Sequence, residues 1–278
     1  MAWNWLLSVI YGLMFGFSSL LPVSPEAHER LFQVLTGVEP MFGGFRIACR
    51  IGALLALITM SRKAIHRLHR ENRLIRIPAK RRRRQPDQAA LMELRFLRTA
   101  AVPAVLVTIC ASFLARFIEP LWLLAVIVAF CGVILYLPPY FQSGNKNAGM
   151  SSGLDAMLTG IAGGICSIPG LSGPAGFLTT ASLLRLDRQF AAGLCQLLML
   201  VLLPVLTILD IVSVAVLQNT PFSADWFGLY VLSALTSFGG AYLAVLLLRF
   251  LAVRRGYSGF SYYCWAMALF TFALYLMI

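Results

Sequence analysis

The chain has 278 residues, of which 59% are hydrophobic and 12% charged, and its mean hydropathy is +0.80. Soluble domains carry about a quarter charged residues, so this composition excludes an ordinary soluble domain and indicates a polytopic membrane protein. The net charge of +12 could suggest nucleic-acid binding, but 13 of the 23 Lys and Arg residues lie between Arg62 and Arg98. Such a block beside a membrane span is typical of a topology determinant that attracts anionic headgroups. We therefore expect anionic membrane lipids, and no nucleic acid, as partners of this segment.

Two polar breaks interrupt the apolar sequence. Residues 21–28 read LPVSPEAH, and residues 168–176 read IPGLSGPAG. Each break divides a longer segment, 3–36 or 153–185, into two apolar arms of about 15 residues, which is short for a span. Irregular polar backbone at membrane depth is tolerated where it is buried in protein or lines a wet cavity. We therefore predict two re-entrant helical hairpins whose breaks face each other in one central site.

The remaining apolar stretches are long enough to span a bilayer. The basic segment 61–98 is a predicted cytoplasmic loop under the positive-inside rule. With this orientation, the first hairpin opens to the outside and the second to the cytoplasm. The sequence therefore predicts an all-α integral membrane protein in a single membrane domain, 1–278, built as an inverted repeat of about 1–140 and about 150–278. The six predicted transmembrane helices are 44–60, 99–117, 121–138, 190–217, 227–251 and 259–278.

The first break carries the candidate catalytic residues. Ser24 and His28 are four residues apart and lie on one face if helical, and a base beside a serine can activate it as a nucleophile. Alternatively, Ser24 caps a helix that begins at Pro25, and the two roles are compatible. Glu26 and Glu29 are the carboxylates near this break. They could hold a divalent cation or face water at the rim.

Charged residues in the following span, and small residues in the second break, are candidate ligands of an anion. Arg46 and Arg50 are one turn apart and could grip phosphate oxygens bidentately, or extend to lipid headgroups. In the second break, Gly170 and Ser172 lie on an uncharged backbone that could cradle an anion. Asp210, late in a span, is expected to bond a neighbouring helix or to lie near the outer interface.

The two breaks resemble the signature motifs of the bacterial undecaprenyl-diphosphatase family. The first motif reads approximately EGxTEFLPVSSxGH, which GFSSLLPVSPEAH matches in LPVS and in the histidine; the second reads approximately PGxSRSG, which PGLSGPAG matches in PGxS. The resemblance implies an inverted repeat with re-entrant hairpins in a bacterial plasma membrane. It also implies a substrate, a long polyprenyl diphosphate dephosphorylated outside to recycle the carrier lipid of the cell wall, with Mg²⁺ or Ca²⁺ as cofactor. A homodimer is a candidate assembly.

The matched positions imply catalytic roles for Ser24 and His28, and substrate binding by the second break. The motif glutamates align with Phe15 and Ser19, and the motif arginine aligns with Gly173. The resemblance implies that the acidic motif positions bind metal and that the arginine position binds diphosphate. The charged residues that could replace them here are Glu26 and Glu29 for the metal, and Arg46 and Arg50 for the diphosphate.

Three functions therefore remain open. The first is a phosphatase in which Ser24 or an activated water attacks the terminal phosphorus and His28 transfers the proton. The second is a transporter that moves a polyprenyl phosphate across the bilayer without cleaving it. The third is a non-catalytic relative that binds the lipid or a partner.

Overall fold

The chain is predominantly helical in the part that the computed structural model describes, which comprises residues 4–37, 42–82, 84–115, 118, 120–140, 144–218, 226–254 and 256–278. Within these ranges there is no β-strand, and a single parallel bridge joins Lys146 to Leu186. The prediction of an all-α membrane protein is confirmed.

The α-helices are, in chain order, α1 (Trp5–Leu20), α2 (Pro25–Thr36), α3 (Phe42–Ile75), α4 (Gln88–Leu114), α5 (Leu121–Tyr136), α6 (Gly153–Ile165), α7 (Gly173–Leu183), α8 (Arg188–Ser213), α9 (Phe227–Arg254) and α10 (Gly259–Met277). Short turns of other helix types are Ala79–Arg81, Pro138–Tyr140 and Val214–Gln218.

Five of these helices are long and apolar enough to cross a membrane, so the protein is multi-pass. The predicted span 121–138 corresponds to α5, which is apolar but has only 16 residues. At 1.5 Å per residue it is about 24 Å long, which is shorter than the hydrocarbon core of about 30 Å. The five long candidates are Gly43–Ile75, Gln88–Leu114, Arg188–Val216, Phe227–Val253 and Gly259–Met277.

Each predicted hairpin is a pair of short helices joined by a break. The arms α1 and α2 have 16 and 12 residues, and α6 and α7 have 13 and 11. In both pairs a serine precedes the second helix and a proline lies in its first turn, which ends one helix and starts the next. That these pairs re-enter the same face of the bilayer stays a prediction.

Helices of the first half of the chain pack against helices of the second half, and the pairs correspond between the halves. α1 packs along α9, and α6 packs along α4, while α5 packs on α10 and α3 on α8. Glycines allow the close approach of α1 to α9 and of α6 to α4. A Cβ atom added to Gly16 would lie 2.1 Å from the Ser237 carbonyl oxygen, and one added to Gly160 would lie 2.0 Å from that of Ala100. This reciprocal pairing is what an internal repeat predicts.

The prediction of a loop over 61–98 is wrong in its conformation. α3 and α4 extend into this segment as helices, and residues 76–87 connect them. Glu71 is fully buried at the turn, where it pairs with Arg84 and accepts a hydrogen bond from the Asp87 N–H at 3.1 Å. The segment lacks Gly and, before residue 78, Pro, so the span continues as a helix beyond its apolar part. The side of the membrane on which it lies stays a prediction.

Candidate functional site

The two breaks are joined by hydrogen bonds between the serine of each and the backbone of the other. The Gly170 N–H donates to Ser24 Oγ at 3.0 Å, and Ser172 Oγ donates to the Leu21 carbonyl oxygen at 3.1 Å. Both serines are buried. The structure therefore brings together three residues that the sequence predicted separately, namely Ser24, Gly170 and Ser172.

Both serines also cap the helix that follows. Ser24 Oγ accepts from the Ala27 N–H at 3.2 Å, and Ser172 Oγ accepts from the Ala175 N–H at 3.4 Å. The capping interpretation of Ser24 is thus confirmed. Because helix N-termini carry free N–H groups and a partial positive charge, the convergence of α2 and α7 creates a site suited to an anion.

Gly170 has a backbone requirement of its own. Its φ is +91°, in the left-handed region that favours glycine, and a Cβ there would lie 2.7 Å from the Ile127 side chain. Glycine at this position therefore lets the second break adopt this conformation and pack closely against α5 at Ile127.

A small cavity of about 30 Å³ lies at the junction of the breaks. This volume holds one or two water molecules. The guanidinium of Arg50 lies over the Phe15 ring, with 5.9 Å to the ring centroid. The three positions at which the motifs have charged residues and this chain has none, Phe15, Ser19 and Gly173, line this cavity. Its lining includes Phe15 and Ser19 from α1, Glu26 from α2, Arg50 from α3, and Ser172 and Gly173 from the second break.

Three carboxylates and two arginines form a continuous ionic cluster beside the cavity. Arg50 Nη2 donates to Glu26 Oε1 at 3.1 Å, and Arg50 Nε lies 2.6 Å from Asp210 Oδ2. The Nε–H does not point along this second contact, which is therefore a charge contact rather than a hydrogen bond. Arg46 Nη1 lies 3.5 Å from Asp210 Oδ1, and its Nε lies 2.9 Å from Glu29 Oε2. Asp210 thus contacts a neighbouring helix, α3, through ion pairs with both arginines, whereas the predicted contact was a hydrogen bond.

The arginines of this cluster form ion pairs with the carboxylates that were predicted as metal ligands. Glu26 is held by Arg50, and Glu29 is held by Arg46 and by the Tyr11 hydroxyl, which donates at 3.0 Å. Within the described ranges, no group of three or more His, Cys, Asp and Glu side chains is placed to hold a metal ion. Mg²⁺ and Ca²⁺ bind several oxygen ligands at once, of which protein carboxylates need supply only some. Because both glutamates are paired with arginines, the residues present do not form a divalent-cation site by themselves.

His28 contacts the backbone of Ser24 rather than its hydroxyl. Its Nδ1 faces the Ser24 carbonyl oxygen, and its Nε2 faces the Tyr263 hydroxyl. Because a carbonyl oxygen only accepts, Nδ1 carries a hydrogen, and Nε2 of the neutral ring accepts from Tyr263. The direct Ser24–His28 contact expected from their spacing is not formed. Tyr263 lies on α10, 235 residues away, and no pattern in the sequence links it to the break.

His28 faces a second and larger cavity. This apolar groove has a volume of about 630 Å³ and runs beside α1, the first break and the start of α10. The first break therefore has two sides, with Glu26 and Arg50 on the small cavity and His28 on the groove. The groove lining includes Phe17, Leu21, Val23, His28, Phe260 and Tyr263.

Comparison with known proteins places this chain in a family. Residues 8–270 match the family model described as bacitracin resistance protein BacA. The chain belongs to the BacA family. The resemblance seen in the two breaks is thereby confirmed over nearly the whole chain.

Curated relatives of this BacA-family chain are named undecaprenyl-diphosphatase. A protein of Nocardioides sp. is 26% identical over 275 residues, which cover 98% of this chain and 96% of the relative. One of Idiomarina loihiensis is 25% identical over 87% of this chain and 88% of its own. One of Methanobrevibacter smithii is 25% identical, with 95% of each chain covered. The relatives match this chain end to end at low identity.

Proposed function

We propose that this BacA-family protein binds a polyprenyl diphosphate and removes its terminal phosphate, with the headgroup at the junction of the two breaks. The observation that carries the proposal is the pair of hydrogen bonds between Ser24 and Gly170 and between Ser172 and Leu21. These bonds direct the N-termini of α2 and α7 to the cavity that Arg50 lines. Two helix N-termini and a guanidinium favour an anionic group, and the names of the relatives suggest which anion.

Ser24 and His28 have different parts in this proposal. The Ser24 oxygen already accepts two N–H groups, from Ala27 and Gly170. Its own hydrogen is therefore the one that can be donated to a phosphate oxygen. The His28 ring does not reach this hydroxyl, so its contacts do not support activation of Ser24 by His28. Because His28 lies on the groove side of the break and its Nε2 accepts from Tyr263, proton transfer to His28 would pass through the Tyr263 hydroxyl from a water that connects the groove with the headgroup.

The groove supplies a surface for the hydrocarbon chain. Its lining is largely apolar, and it reaches the first break at Leu21 and Val23. A polyprenyl chain that lies in this groove would bury apolar surface of both the chain and the protein, and the end of the chain would lie beside His28. The headgroup reaches Arg50 by passing around residues 21–24, which separate the groove from the small cavity.

Further parts of the proposal concern location and partners. We place the protein in a bacterial plasma membrane with segment 61–98 on the cytoplasmic side. Its exposed basic residues, which include Arg62, Lys63, Arg70 and Arg73, suit binding of anionic lipid headgroups. A homodimer and a requirement for Mg²⁺ or Ca²⁺ stay predictions.

The test is phosphate release from a polyprenyl diphosphate by the purified protein. We expect release by the wild type, and at least a hundredfold slower release by His28→Ala and by Arg50→Gln. The assay is run with Mg²⁺, with Ca²⁺ and with a chelator, which tests the predicted cation separately. If the wild type releases phosphate no faster than His28→Ala and Arg50→Gln do, hydrolysis at this site is refuted.

A second candidate is transport of a polyprenyl phosphate without cleavage. One observation that favours transport is that Phe15, Ser19 and Gly173 line the cavity at positions where the family motifs have charged residues. A second is that Glu26 and Glu29 are paired with arginines. Movement of a labelled polyprenyl phosphate across proteoliposomes tests it. Transfer that does not exceed that of empty vesicles would exclude this candidate.

A further inference from the structure

Arg50 and Glu26 form the only ion pair in which both partners line the small cavity, among the described residues. Asp210 contacts the same guanidinium from α8, at Nε, whereas Glu26 contacts Nη2. The Arg50 side chain is 5% exposed. Any anion that reaches Arg50 through this cavity therefore also meets the Glu26 carboxylate.

The cavity has no room for a phosphate group while Glu26 keeps its position. A volume of about 30 Å³ holds one or two waters, and a phosphate group has four oxygens around its phosphorus. Glu26 is also a side chain that can leave, because it lies in the first turn of α2 and is 19% exposed. By contrast, Phe15 is 1% exposed and packed below Arg50.

The net charge of the ionic cluster also indicates that Glu26 must move away before a phosphate binds. With all groups ionised, three carboxylates and two guanidiniums give the cluster a net charge of −1. A phosphate added beside Arg50 would place a third anion on one guanidinium in a buried site, which is unfavourable. If the phosphate takes the place of the Glu26 carboxylate, Arg50 keeps two anionic partners. Carboxylate and phosphate oxygens suit the same guanidinium donors.

We propose that the Glu26 carboxylate is a built-in competitor for the phosphate of the lipid, and that binding exchanges this carboxylate for a phosphate oxygen on Arg50. The inference rests on the proposed function, because it concerns the same headgroup site. It gives Glu26 the role of setting the affinity and selectivity for the anion, in place of the predicted role as a metal ligand. Once Glu26 has moved away, the free N–H groups of α2 and α7 can bind the remaining phosphate oxygens.

The test compares phosphate and alcohol forms of one lipid. Binding of farnesyl phosphate and of farnesol to the purified full-length protein in detergent is measured by calorimetry. We expect Glu26→Gln, which keeps the shape and removes the charge, to bind farnesyl phosphate at least tenfold more tightly, with farnesol binding unchanged. Equal or weaker phosphate binding by Glu26→Gln would overturn the inference, as would an equal gain for both ligands.

Matched variants separate the exchange from a general effect of charge. Glu29→Gln removes a carboxylate from the same helix without freeing Arg50, so its gain should be at least threefold smaller than that of Glu26→Gln. Adding Arg50→Gln to Glu26→Gln should abolish the gain, and a gain that persists would contradict the exchange. If Glu26→Gln does not fold, Glu26→Asp, which withdraws the carboxylate from Arg50, should bind farnesyl phosphate more tightly than wild type, and no gain would count against the proposal.

Failure of the proposed function gives a different result. If neither wild type nor Glu26→Gln binds farnesyl phosphate better than farnesol, there is no headgroup site, and the proposed function fails together with the exchange. If wild type prefers the phosphate and Glu26→Gln does not improve on it, only the exchange fails.

Discussion

The hydrogen bond from Ser172 to the Leu21 carbonyl links the two halves of the chain, and its contribution can be measured. Ser172→Ala removes this bond, made at 3.1 Å, and also the cap on the Ala175 N–H. Hydrogen bonds between membrane helices contribute about 0.6–1.7 kcal/mol, and the loss of a serine cap costs about 1 kcal/mol. We therefore expect a destabilisation of about 2 kcal/mol, which corresponds to a shift of roughly 30-fold in the unfolding equilibrium.

The assay for this variant is reversible unfolding in mixed detergent micelles, followed by circular dichroism. Ser182→Ala is the matched control, because the Ser182 hydroxyl donates to the Leu178 carbonyl of its own helix at 2.8 Å. Loss of such a local bond should change stability by less than about 0.5 kcal/mol. If both variants unfold at the same denaturant concentration, the bond between the breaks does not stabilise the fold, and the reasoning is refuted.

Three further predictions follow from the packing and from the contacts at the periphery of the site. Gly160→Ala should reduce the yield of folded protein severalfold, because its Cβ would lie 2.0 Å from the Ala100 carbonyl oxygen. Gly153→Ala is the control, because its Cβ meets nothing within 4 Å and the variant should be tolerated. Size-exclusion profiles compare the two yields of folded protein, and equal yields would contradict this packing. Tyr263→Phe should lower phosphate release about tenfold or more, with little change in thermal stability, because the His28 ring loses its partner at Nε2; unchanged release would show that this contact is not used. Glu71→Ala should speed trypsin cleavage within 76–87 severalfold, because Arg84 and the Asp87 N–H lose their shared acceptor; cleavage no faster than that of Gln85→Ala would argue against this role.

The sequence predicted the breaks well because their signals are local. A serine followed by proline at residues 24 and 25 starts a helix wherever it lies, and glycine and proline interrupt the apolar runs without help from the rest of the chain. The convergence of the breaks was predicted from topology, and the Ser24–Gly170 bond is consistent with it. The end of the third helix was not predicted, because the change from apolar to basic residues marks a membrane boundary and not a helix boundary. A helix can continue into water, as α3 does to Ile75.

Side-chain partners were the part that the sequence could not provide. The charges of α2 and α3 were recognised as an unusual set, but their pairing depends on the approach of these two helices, and α8 adds Asp210, which contacts both arginines. The spacing of Ser24 and His28 predicted a shared face if both residues were helical, but Ser24 is the extended N-cap residue of α2, and its hydroxyl accepts from Gly170 and does not contact the His28 ring. In a helix, the carbonyl of residue i lies beside residue i+4, and at this position the His28 ring bonds that carbonyl instead of the hydroxyl.

The ionic cluster also bears on how this chain differs from the motifs it resembles. Phe15 takes the place of a motif glutamate, and its ring lies under the Arg50 guanidinium. A carboxylate at that position would be the fourth acidic group of a cluster that already has one more acid than base, so Phe15 fits an arrangement in which Arg50 comes from α3. In the second break, Gly173 replaces the motif arginine at the N-terminus of α7. The guanidinium that lines the cavity thus comes from α3, a different helix from the one that carries the motif arginine, and the carboxylate that lines it comes from α2 in place of α1, which carries the motif glutamates.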